Sequence, residues 1–62
     1  MKLGYKIYSY KHHTAYYLVA LLPDGTSYQI GNSQDKQEIV DKLEENGINF
    51  NSLKLTKEGI YL

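Results

Sequence analysis

The sequence predicts an α+β domain: a three-stranded antiparallel meander backed by one helix, followed by a C-terminal strand or small hairpin. Two early segments, Leu3–Tyr10 and Ala15–Leu22, are dense in Tyr, Ile, Leu and Val, which suit a pleated, half-buried surface. Pro23-Asp24-Gly25 follows the second segment and reads as a tight turn into a third strand. One later stretch, with Ile39, Val40 and Leu43 as its apolar stripe, ends in Asn46-Gly47-Ile48, a helix-stop signature. At 62 residues the chain is one domain, with no room for a second core.

Taken in order, the first strand runs Leu3 to Tyr10 and the second Ala15 to Leu22, with polar Lys11-His12-His13-Thr14 as the loop between them. In the next turn Pro23 presets φ, Asp24 caps locally and Gly25 takes the positive-φ position of a three-residue loop. The third strand then covers Thr26 to about Gly31. A helix of about fourteen residues begins at Asn32 or Ser33, either of which caps orphan amides, with Asp35 and Glu38 in its first turns. Gly47 is expected at the left-handed position past the helix end, with Ile48 touching Leu43. Beyond it Leu53-Lys54-Leu55-Thr56 alternates like a strand, and Lys57-Glu58-Gly59 turns the chain into Ile60-Tyr61-Leu62.

Paired residues of antiparallel strands share a face, so the turns sort the side chains. A symmetric Lys11–Thr14 loop pairs Tyr10 with Ala15 and Tyr8 with Tyr17. The Pro23–Gly25 loop pairs Leu22 with Thr26, Ala20 with Tyr28 and Leu18 with Ile30. One face then holds Leu3, Tyr5, Ile7, Tyr16, Leu18, Ala20, Leu22, Tyr28 and Ile30, and is the core face that the helix covers. The other holds Lys2, Gly4, Lys6, Tyr8, Tyr10, Ala15, Tyr17, Val19, Leu21, Ser27, Gln29 and Gly31. A single helix covers one side of such a sheet, so the outer face is expected bare. Lys6, Tyr8, Tyr10, Tyr17, Val19 and Leu21 are therefore the candidate partner-binding residues. Tyrosine suits that use because its ring is rigid and apolar while its tip stays hydrated.

Charge is unevenly distributed although the formal net charge is zero. Residues 1–23 carry Lys2, Lys6 and Lys11 with no acid, against four lysines and seven acids in residues 24–62. All basic residues except the two histidines are lysine, and seven of the eight aromatics are tyrosine. Together with the abundant Asn and Ile, this composition points to an AT-rich genome and to a phage or mobile element.

Cysteine is absent, which removes disulfides and thiolate metal sites. The opening MKLGYKIYSY has no apolar core of a leader, and the eight-residue run Ala15–Leu22 is too short to cross a bilayer, so a cytoplasmic location without membrane insertion is expected. Catalysis finds no pattern: nothing in the spacing of His12 and His13 with Ser9, Ser27 or Ser33 selects a triad. Adjacent His12 and His13 point apart on an extended chain and have no third ligand nearby. The five glycines form no phosphate loop, so no cofactor is expected. The acids at Asp35, Glu38, Asp41, Glu44 and Glu45 read as the solvated side of the helix.

The expected function is thus a small non-enzymatic interaction protein that binds a host protein or its own copy as a homodimer through the tyrosine-rich face. The alternative is a nucleic-acid-binding module using the same Tyr/Lys face, as three-stranded sheets backed by a helix do in integrase arm-binding domains, a comparison at the level of fold. Bases stack on tyrosines and phosphates meet lysines, but zero net charge and the lack of arginine weigh against it.

Overall fold

The computed structural model describes residues 2–62. Strand β1 spans Lys2–Tyr10, β2 His13–Leu21 and β3 Ser27–Ser33; helix α1 spans Lys36–Glu45, and a 3-10 turn spans Phe50–Ser52. The strands form one antiparallel sheet in the order β1-β2-β3, followed by the helix, so the predicted α+β meander is the architecture found.

The β1–β2 turn is tighter than the expected four-residue loop. Only Lys11 and His12 separate the strands, and Lys11 adopts a φ of 54°. A two-residue turn with positive φ at its first position matches the right-handed twist of the flanking strands. Tyr10 therefore pairs with His13 and Tyr8 with Ala15, instead of Tyr10 with Ala15 and Tyr8 with Tyr17. This correction amounts to two residues, and side chains alternate with period two, so every β1 and β2 residue keeps its expected face.

The β2–β3 turn forms as expected. The Gly25 amide donates to the Leu22 carbonyl at 3.0 Å, the Leu22 amide donates to the Thr26 carbonyl at 2.8 Å, and Gly25 has a φ of 91°. Asp24 Oδ1 accepts from the Thr26 hydroxyl at 2.7 Å and the Thr26 amide at 2.9 Å, and these bonds hold its carboxyl below the usual range. Ala20 pairs with Tyr28, but Leu18 pairs with Gly31 and not with Ile30. A bulge leaves Ile30 as the extra residue, 46% exposed.

That bulge carries β3 on to Ser33, so Asn32 and Ser33 pair with Tyr17 and Tyr16 and do not cap the helix. Asp35 is the N-cap, its Oδ1 accepting from the Gln37 amide at 3.0 Å, while Ser33 Oγ accepts from the Asp35 amide. The stop is the one expected. The Ile48 amide bonds the Leu43 carbonyl and the Gly47 amide bonds the Glu44 carbonyl, both at 3.0 Å, with Gly47 at a φ of 78°.

The helix has ten residues, about 15 Å of rise, against roughly 30 Å for a nine-residue strand. It therefore closes only part of its face, where Tyr5, Leu18, Ile39 and Leu43 form the core with Leu3, Tyr16, Ile48, Phe50, Leu53 and Tyr61 packed around them. Ile7 and Tyr28, expected under the helix, are 43% and 50% exposed because it does not reach them.

The C-terminal segment is the small hairpin, and it closes the inner half of the outer face as well. Its turn repeats the geometry of the β2–β3 turn: the Gly59 amide bonds the Thr56 carbonyl, the Thr56 amide bonds the Ile60 carbonyl, and Gly59 has a φ of 83°. Tyr61 exchanges both backbone bonds with Tyr5, at 2.7 and 3.0 Å. From there the hairpin passes over Gly4, and Thr56, Glu58, Ile60 and Leu62 line one cleft with Leu21, Gly25 and Ser27. Ile60 is buried against this side and Val19 beneath it is 2% exposed. The passage requires glycine: a Cβ on Gly4 would overlap the Tyr61 carbonyl oxygen and lie 2.6 Å from Leu62 Cδ2.

Gly4→Ala should therefore cost on the order of 1–3 kcal/mol in urea denaturation, as overpacking does, and should speed amide exchange across residues 54–62. A loss below about 0.5 kcal/mol, the range of ordinary surface changes, would mean that the hairpin does not cross there. Tyr5 gives a pH signature. Burial, then the neighbouring Tyr61 and Tyr16 hydroxyls, raise its pKa above the ordinary 10.0. The unfolded chain then loses this proton before the folded one, so the contribution is complete below pH about 10 and falls as pH rises through the folded value. Phenolate absorbance should show Tyr5 ionising above the ordinary 10.0, together with a declining urea midpoint over that window.

Candidate functional site

The burial of β1 and β2 is graded along their length. Gly4 and Tyr5 on β1, and Leu18, Val19 and Ala20 on β2, are buried, whereas Ile7 to Tyr10 and His13 to Thr14 are exposed. The outer half of the hairpin is thus an arm that neither helix nor C-terminal hairpin covers. It is held together by the outer pairs of the β1–β2 ladder and the two-residue turn.

On the outer face of this arm β1 presents Lys6, Tyr8 and Tyr10, and β2 presents Tyr17, Ala15 and His13 opposite them in the same order. Tyr8 and Tyr10 are 53% and 57% exposed; Lys6 and Tyr17 are half-buried. Tyr8 and Tyr17 are diagonal neighbours across the strands, their ring centres 6.3 Å apart and tilted by 39°. Lys6 Nζ sits 5.6 Å from the Tyr17 ring centre, and Lys11 Nζ lies 5.4 Å from that of Tyr10. Tyr17 and Tyr10 thus each carry a cation, within the range at which the ring quadrupole attracts a positive charge.

Four of the six expected contact residues, Lys6, Tyr8, Tyr10 and Tyr17, come together on this arm. The other two need correction. Val19 is buried beneath the C-terminal hairpin and Leu21 is half-buried in the cleft beside it, so neither presents a free side chain. What remains loses its aliphatic part and becomes a tyrosine and lysine surface. Lys11 and His13 join it, a consequence of the tight turn that the expected loop concealed. Asn32, paired with Tyr17, extends the same face on β3.

Electrostatically the arm is one-sided. β1, β2 and their turn contain Lys2, Lys6, Lys11, His12 and His13 and no acid. The acids sit on α1, at its cap and in the two glycine turns. His12 and His13 are exposed on the arm, and among the described residues no group of three or more His, Cys, Asp or Glu is placed to hold a metal. Among those residues no helix is long and apolar enough to cross a membrane. Comparison of the chain with family models, curated proteins and solved structures finds no match.

The arm rings and the core ring should separate cleanly in stability. Tyr8→Ala/Tyr10→Ala should cost less than about 1 kcal/mol, since both rings are solvated, whereas Tyr5→Ala should cost roughly 3–5 kcal/mol as a buried aromatic truncation. Urea denaturation of both variants checks this, and equal losses would place the arm rings in the core.

Proposed function

We propose that this chain is a non-enzymatic interaction module, encoded by a phage or mobile element, that binds a host protein through the outer face of its β1–β2 arm. The observation that carries the reading is the exposure of Tyr8 and Tyr10. Two large rings stand more than half in water on a paired ladder, beside Lys6 and Lys11. They lie outside the cluster that forms the core. Rings of this kind lose little conformational entropy on binding and bury a large area, which is why tyrosine is enriched where proteins meet.

Charge argues for a foreign partner over a second copy. Two arms laid together bring two sets of lysines into one interface with no acid in either arm to offset them, and like charge across an interface disfavours it. A partner with an acidic surface removes that cost and gains from steering.

Nucleic acid is the second reading, favoured by the pairing of each lysine with a tyrosine ring on an acid-free face. Bases stack on such rings, and cations beside them meet phosphates. Two or three lysines would give a shallow salt dependence, a slope of about −2 for single strands.

Two measurements separate these readings. Affinity capture from bacterial lysate should retain a host protein on the parent chain and lose it at least about tenfold on Tyr8→Ala/Tyr10→Ala, an anchor-sized effect. Identical retention by both chains would remove the arm face as the docking surface. Titration with oligothymidine at low salt should leave Lys6, Tyr8 and Tyr17 resonances in place; saturable shifts there, weakening with that slope, would put nucleic acid first.

A further inference from the structure

We infer that the outer half of β1 accepts an added strand, supplied by an extended acidic segment of the partner protein. This rests on the arm being the docking surface and names both the backbone groups and the partner chemistry. Tyr5 exchanges both of its backbone bonds with Tyr61, so its N–H and C=O point away from β2. Alternation along an antiparallel strand gives Ile7 and Ser9 the same outward direction. Among the described residues neither has a backbone partner outside the ladder. The C-terminal hairpin bonds this edge at Tyr5 alone, so pairing stops one step before Ile7. The edge is thus shown to accept a strand at one point and is open for the next four residues.

What fills it follows from the groups presented. Ile7 and Ser9 offer two donors and two acceptors in alternation, which a peptide strand matches group for group. A phosphodiester backbone presents phosphate acceptors, not alternating donors, and would leave the Ile7 and Ser9 carbonyls facing negative charge. An added strand would set its alternate side chains beside Lys6, Tyr8 and Tyr10 on the outer face and beside Ile7 on the helix face. The matching sequence therefore alternates acidic and aliphatic residues. A second copy does not supply it: its β1 carries lysines and no acid, and the acids of this chain lie in its helix, cap and turns. A standard interface covers about 800 Å² per partner, roughly a sixth of the 4566 Å² total here. Four side chains do not fill that area, whereas a face and its edge together extend the contact along the whole arm.

The test uses the full chain, isotope-labelled, with capped seven-residue peptides at millimolar concentration. One peptide alternates glutamate and valine, one alternates lysine and valine, and one is the acidic peptide N-methylated on the amides that would face β1. The acidic peptide should slow exchange of the Ile7 and Ser9 amides at least about tenfold, the signature of newly bonded backbone, and the other two should not. Ser9→Pro removes an outward donor without touching the β1–β2 ladder and should weaken binding by at least about tenfold while leaving the fold intact. Should that variant unfold, the N-methylated peptide carries the same discrimination. Shifts at Tyr8, Tyr10 and Tyr17 without protection at Ile7 and Ser9 would overturn strand addition and leave face docking standing. An arm silent to the acidic peptide would also overturn it, and capture with Tyr8→Ala/Tyr10→Ala judges the docking face separately.

Discussion

At the Gly4–Tyr5 step two backbones approach more closely than any side chain at position 4 would permit. Tyr61 closes two hydrogen bonds with Tyr5, while its carbonyl and the Leu62 side chain lie over the bare Gly4. The same step anchors the helix side. The Tyr5 ring stacks on Phe50 at 4.6 Å between centroids and on Tyr61 at 4.5 Å, joining the 3-10 turn and the C-terminal hairpin to the sheet. Stacked pairs of this kind add roughly 0.5–1.5 kcal/mol each beyond the area they bury. One glycine and one tyrosine thus tie two separate segments to the middle of β1.

Small size explains why that tie matters. A domain of this length buries only about 60% of its unfolded surface, and this chain has no cysteine with which to add a crosslink. Wrapping the last residues across the second face puts Val19 and Ile60 out of water, which a single helix on the other face cannot do. The extra core is gained only where the hairpin passes. Its limit at Tyr5 sets the boundary between a closed inner half and the open arm, so the extent of the free surface is fixed by the reach of the C-terminal hairpin.

Most of the fold was legible because its signals are local. Pro23-Asp24-Gly25 and Asn46-Gly47-Ile48 each fix a turn through one residue that must take positive φ, and both form as read. The face assignment survived a loop two residues shorter than expected because the pleat repeats every two residues. An error of one, as at the Ile30 bulge, does not survive, and that residue left the core. The outer face was harder because it depends on a contact between residues about sixty positions apart. Two signals pointed to it. Leu18-Val19-Ala20-Leu21 is apolar on both faces, the pattern of a strand covered from both sides. Gly4 stands directly opposite Val19, in a strand interior where glycine often marks a close backbone approach. The outer halves of the strands, with lysine, serine, threonine and tyrosine, carry no such signal. That contrast within one hairpin separates the covered half from the arm.

An exposed strand edge invites pairing with any chain that meets it, and lysines on or beside it are a common defence. Here Lys6 and Lys11 flank the open stretch from Ile7 to Tyr10, and no acid on either strand neutralises them. The defence is selective. It repels a second copy, whose own β1 carries the same charges, but attracts a strand with acids at the matching positions. The lysines that keep such an arm from self-pairing are then the groups that choose its partner, and the tyrosines between them supply the area a charge alone does not. Replacing the lysines by neutral residues would therefore act on both properties together, which neither a purely protective nor a purely binding role implies.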